Sequence, residues 1–154
     1  MIYVDPRIAT AVSPEILESV DQADAVIAAI YVVPSAGKAV IGGNGLTNSV
    51  ALPDASAALL HSILDRAAAK TVVLAMGDPY LAQGFPVVQN YLCALSNSSV
   101  SQISAVKALF GEIPIRGHLP VSIPEIARRG FGIERVPQPA PGGSPHAYPK
   151  TVGR

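Results

Sequence analysis

The chain has 154 residues, 49% hydrophobic and 14% charged, and its eleven basic and eleven acidic side chains cancel to a net charge of zero. That length suits one domain with a sizeable core and excludes a second full domain. The balanced charge, with no basic cluster beyond Arg128-Arg129, argues against a nucleic-acid or anionic-membrane partner, and so thin a charge density suggests that part of the surface is covered by something else.

In chain order, Ser13-Pro14-Glu15 is a helix start, with a capping hydroxyl, a proline suited to the first helical position and an acidic group at the positive helix end. The helix should reach about Gln22. Residues 25–33 are a continuous apolar run rich in β-branched side chains and stopped by Pro34, the pattern of a strand buried on both faces. Residues 23–33 form the longest apolar stretch, but Asp24 interrupts it and it is too short to cross a bilayer. A Gly-rich loop is expected over residues 35–49. Asp54 can then cap a helix whose apolar positions Leu60, Ile63, Leu64 and Ala67 recur at three and four residues.

Residues 71–76 are the next buried strand, ended by Gly77-Asp78-Pro79, and residues 91–95 are another. Ser99 and Gln102 form a capping-box pattern, after which Val100, Ile103, Val106 and Phe110 line one helical face until Gly111 closes the helix. Residues 113–124 hold too many prolines for a helix or a central strand and should wrap the surface in extended form. Strand alternating with helix predicts an α/β domain, a three-layer sandwich of flavodoxin-like appearance with a mainly parallel sheet and helices on both faces. The domain should cover residues 1–136. Residues 137–154 have the Pro- and Gly-rich composition of a linker or disordered tail. The start, Met1-Ile2-Tyr3-Val4-Asp5, lacks the basic region and cleavage site of a signal peptide but also reads like the middle of a protein, so no compartment follows from it.

Motifs that carry chemistry are sparse. Cys93 is the single cysteine, so neither an intramolecular disulfide nor a cysteine metal site is available, and its apolar neighbours point to a buried thiol. His61, His118 and His146 lack metal-ligand spacing, and no Gly-x-Ser-x-Gly elbow is present. Gly42-Gly43-Asn44-Gly45-Leu46-Thr47 follows a strand but lacks the third glycine of a dinucleotide loop and the Lys-Ser/Thr of a Walker loop. No metal and no cofactor is called for. Two positions stay open as ligand contacts: the loop around Gly43, Asn44, Thr47 and Asn48, with uncharged groups suited to sugar hydroxyls, and Asp78 at a strand end. The competing reading is an inert connection for the loop and a turn-forming aspartate for Asp78.

The order and spacing of several blocks over residues 24–124 are more specific than any of these motifs. Residues 73–81, Phe85-Pro86, residues 91–94, Ser101-Gln102, residues 105–112 and residues 115–124 together resemble the second domain of glycoside hydrolase family 3, closest to its β-N-acetylglucosaminidase branch. The resemblance implies an α/β sandwich packed on a separate (β/α)-barrel that carries the nucleophilic aspartate. In the β-glucosidase branch the second domain supplies a catalytic glutamate from a loop before a Leu-x-Leu-Pro-like stretch. The matching stretch here is Val50-Ala51-Leu52-Pro53, and residues 38–49 contain no Asp or Glu. That departure fits the N-acetylglucosaminidase branch, whose acid/base is an Asp-His pair on a barrel loop.

The resemblance therefore implies an accessory domain of a retaining hydrolase, with the barrel as its partner, possible carbohydrate contact, and no catalytic residue of its own. The isolated chain is expected to be inactive and to self-associate or expose a contiguous apolar patch. Two alternatives from other classes remain: a free-standing small-ligand binder using the strand-end loops, and a protein-interaction module without a ligand.

Overall fold

The computed structural model describes residues 14–31, 40–42, 45–47, 52 and 54–137. Helix α1 spans Pro14–Gln22 and leads into strand β1, Val26–Tyr31. Two three-residue strands follow, β2 (Val40–Gly42) and β3 (Gly45–Thr47), then helix α2 (Asp54–Ala67) and strand β4 (Thr71–Met76). A 3₁₀ turn over Pro79–Gly84 separates β4 from β5 (Asn90–Ala94), and helix α3 spans Ser99–Leu109.

β1, β4 and β5 form a parallel sheet in the order β1-β4-β5, with Val26 opposite Thr71 and Val72 opposite Asn90. The central strand β4 has no polar side chain except Thr71, whose hydroxyl donates to the Ala67 carbonyl at 2.7 Å. A strand with neighbours on both edges and helices above and below must be apolar throughout, which is what the run at residues 71–76 encodes. Helices lie on both faces of this sheet, so the fold is mixed α/β as the element pattern predicts.

Side chains alternate across the sheet, and the two faces are built differently. On the first face Leu60 and Leu64 of α2 bury themselves against Ala28, Val73 and Ala75, with Leu81 and Phe85 closing the end and Leu52 packed at the margin. Each such leucine contributes about 1.5–3 kcal/mol on leaving water. α1 rests beside α2, tied by the Arg66–Asp21 ion pair at 2.7 Å and by Lys70, whose ammonium donates to the carbonyls of Asp21 (2.9 Å) and Ala23 (2.7 Å). Lys70 thereby satisfies carbonyls at the end of α1 that have no helical partner.

On the second face α3 meets Leu74 and Met76 through Ala105, with Leu92, Ala94 and Leu109 alongside. The apolar stripe expected on α3 is there, on its outer side. Val100 (74% exposed), Ile103 (58%), Val106 (49%) and Phe110 (71%) point away from the sheet. The small Ala105 lets the helix approach closely, and the opposite apolar stripe is left outside. The cap also shifts by one residue: Ser98, not Ser99, accepts from the Ser101 amide (3.4 Å), while Gln102 reaches back to the Asn97 carbonyl (2.9 Å). At the other end Gly111, at φ 71°, closes the helix as expected. Its amide donates to Ala108 and that of Glu112 to Lys107, the paired bonds of a Schellman turn.

The expected loop at residues 35–49 contains an antiparallel hairpin, in which β2 pairs with β3 from Val40–Thr47 to Gly42–Gly45. Beyond Gly111 the Pro-rich segment is extended as predicted, and it pairs with the chain that follows it. Ile115 and Arg135 exchange backbone bonds, Leu119 bonds to Phe131 and Gly130, and Ile123 pairs with Ala127 at the tip, where Glu125 adopts a left-handed φ of 64°. The resulting arm, residues 115–135, leaves Ile126, Phe131 and Ile133 exposed. At its waist the backbone of Gly132 lies so close to the Gly117 carbonyl oxygen that no Cβ would fit. Of the proposed tail only Pro137 lies within the described residues.

Candidate functional site

Because β1, β4 and β5 run parallel, their carboxyl ends share one edge, and the chain leaves the sheet there at Tyr31, Gly77 and Leu95. Gly77, at φ 100°, turns the chain out of β4 and donates to the Ala94 carbonyl of β5 at 2.8 Å. Asp78 follows. Its side chain is buried, and one carboxylate oxygen accepts the Tyr80 amide at 2.7 Å, capping the 3₁₀ turn. Pro79 at the first position of that turn has no amide to satisfy, and its carbonyl accepts the Tyr91 hydroxyl at 3.1 Å.

Asp78, Tyr91 and Cys93 thus gather beneath the turn at residues 79–84. Burial, and after it the Asp78 charge, pushes the Cys93 thiol up to about 11. Burial likewise raises the Tyr91 hydroxyl, with lesser upward contributions from Cys93 and Asp78. Both groups are therefore protonated at neutral pH, and Cys93 has the character of an inert packing thiol rather than a nucleophile. The carboxylate at this strand end is engaged with its own turn, the arrangement that the turn-forming reading of Asp78 describes.

Next to this edge lies an open groove of about 440 Å³. Leu92 and Ala94 form its floor, the Ser101–Ser104 side of α3 one wall, and the start of the arm at Ile115 and Arg116 the other. Ser96, Ser101, Ser104 and Arg116 supply its polar groups, and no Asp, Glu or His lines it. Such a surface can hold an apolar or hydroxylated group but offers no acid/base pair. Sequence reading missed this groove, which forms where three successive segments of residues 92–117 fold against one another.

The other candidates do not converge on it. Thr47 ends β3, while Gly43, Asn44 and Asn48 lie outside the described residues. His61 stands on α2 and packs its ring on Phe85, centroids 4.6 Å apart. His118 is on the arm beside Gly132, and His146 lies outside the described residues. Among the described residues no three His, Cys, Asp or Glu side chains are placed to hold a metal ion, and no helix is long and apolar enough to cross a membrane. No protein-family model matches the chain, and no curated protein matches it either.

Proposed function

We propose that the chain is an accessory domain of a larger glycoside hydrolase of the family 3 type, acting beside a (β/α)-barrel that performs hydrolysis of terminal β-N-acetylglucosaminyl or related residues. The observation that carries this reading is the absence of an acid/base pair at the described carboxyl edge of the sheet, where an open α/β domain with its own chemistry would place one. Asp78 is committed to its turn, and the adjoining groove is lined by serines, one arginine and aliphatic side chains. The arm at residues 115–135 supports a docking role. It presents Ile126, Phe131 and Ile133 to solvent on a framework of backbone bonds in which Ile123 is the one buried side chain, the construction of an element that wraps a neighbour.

Two measurements test this. The purified chain alone should not hydrolyse aryl β-N-acetylglucosaminides or β-glucosides, and turnover that copurifies with the protein and is abolished by a substitution in it would refute the reading. Added to a family 3 barrel produced without its second domain, the chain should raise the barrel's melting temperature, and Phe131→Asp with Ile133→Asp should remove the effect. The groove favours a second reading, a free-standing binder of a small hydroxylated ligand. Saturable binding of N-acetylglucosamine by the isolated chain, lost on Ser104→Leu, would favour that reading over the first.

A further inference from the structure

α3 is apolar on both sides. One side, Ala105 and Leu109, meets its own sheet, while on the other Val100, Ile103, Val106 and Phe110 stay 49–74% exposed, Val100 also lining the groove beside β5. The sheet beneath it has a matching gap. α3 covers the second face over β4 and β5 only, where Leu74, Met76, Leu92 and Ala94 contact it. The β1 residues on that face are Ile27, Ala29 and Tyr31, since Ala28 and Ile30 belong to the opposite core. Ile27 is 51% exposed and Tyr31 53%. Among the described residues, one side therefore holds an outward apolar stripe on α3 and, next to it, an exposed apolar strip of sheet.

We propose that this side is a two-fold interface with a second copy of the chain, in which α3 of each copy packs its outer stripe on the bare β1 strip of the other. Adjacent knob and slot on one surface are what an isologous contact requires, because each copy then gives and receives the same packing. The two α3 helices would form one shared layer between two sheets, and each would be buried on both sides. The charge on this face is small: Lys107, one turn beyond Ile103, is the charged side chain of α3 and its long stem lets the ammonium stay at the rim, and the chain carries no net charge to repel its copy. The area suffices as well. With about 150–250 Å² for a large side chain, the exposed fractions of these residues leave roughly 600 Å² per copy, near the ~800 Å² per partner of a stable complex once rim and backbone are included. That is also at the upper end of the apolar patch, about 300–600 Å², that a monomer usually leaves bare. The inference does not depend on the glycosidase reading, which concerns the arm.

The test is the mass of the full chain by sedimentation equilibrium, with far-UV circular dichroism to establish that each variant is folded. The wild type should be a closed dimer at micromolar concentration. Ile103→Glu and Tyr31→Lys should each weaken the dimer by about 100-fold or more, as loss of a central contact does, while leaving the circular dichroism unchanged. Because the two positions face each other across the proposed contact, the double variant should recover a measurable part of the loss. A wild-type monomer at the highest attainable concentration would overturn the proposal. A monomer whose melting temperature falls with Ile103→Glu would place a segment of the same chain on this face, and oligomers that grow without limit would mean a head-to-tail contact. Either outcome would also refute it, as would a double variant no tighter than the singles.

Discussion

The two faces of the sheet share the same three strands and end up in opposite conditions. The α2 face is finished: Leu60 and Leu64 reach into a cluster with Ala28, Val73 and Ala75, and Leu81 and Phe85 seal its end. Among the described residues the α3 face is closed over β4 and β5 through Ala105 and left open over β1, with larger side chains outside the helix than beneath it. Hydrophobicity alone does not decide which side of a helix is buried, because the fit at the closest approach decides it, and a small residue at that point can win over a larger stripe.

The largest test of this contrast is Leu64→Ala against Ile103→Ala. The first deletes a fully buried side chain from the finished face and should cost about 2–5 kcal/mol in denaturant unfolding of the monomer. The second trims an exposed side chain and should change the monomer by no more than about 0.5 kcal/mol. Equal losses would mean that the α3 stripe is buried within a single chain.

Much of the finished face can be read from the sequence, because its elements carry one signal each. The run at residues 72–76 is apolar without interruption, as a central parallel strand must be, and Leu60, Ile63, Leu64 and Ala67 keep helical spacing with His61, Ser62, Asp65 and Arg66 between them. Gly111 and Pro14 mark helix ends through backbone chemistry that acts locally. The α3 face is illegible for the opposite reason. Both sides of the helix are apolar, so its pattern does not choose between them, and three serines within four positions leave the cap uncertain by one residue. Strands as short as β2 and β3 carry no usable alternation, and the arm depends on bonds between residues 115–119 and 130–135 that no local pattern announces. Of the candidate site, Asp78 was legible as a strand-end residue. The groove between β5, α3 and Ile115 exists only once those segments are brought together.

Smaller effects sharpen the comparison between the packed core and the arm. Gly132→Ala forces a methyl against a backbone oxygen, an obstacle that no rotamer change can relieve, and should cost about 1–3 kcal/mol. That loss should appear as faster proteolysis within the arm while β4 keeps its protection from hydrogen exchange. Next is Asp78→Ala, which removes the cap of the turn at residues 79–84 and should cost about 1 kcal/mol, whereas Asp78→Asn keeps an acceptor and should cost less. Both variants remove a negative charge beside Cys93 and should lower the pH at which its thiol ionises, as followed by thiolate absorbance.

The smallest effect is in alkali. The Cys93 thiol is raised in the folded chain, so the folded state holds its proton after the unfolded chain has lost it. The associated stability is fully present below about pH 9 and is lost as pH rises toward about 11. Partial exposure of the thiol screens the effect. Cys93→Ser should flatten that part of the stability profile, and a profile unchanged by the substitution would remove Cys93 from the account.

Hydrogen exchange followed by mass spectrometry across a concentration series compares the two faces within one experiment. The account predicts that α2 and β4 are protected to the same degree at every concentration, while α3 and β1 are weakly protected when dilute and gain protection together as concentration rises. Protection of α3 at the lowest concentration equal to that of α2 would contradict the claim that one face of the sheet is finished and the other is left for a partner.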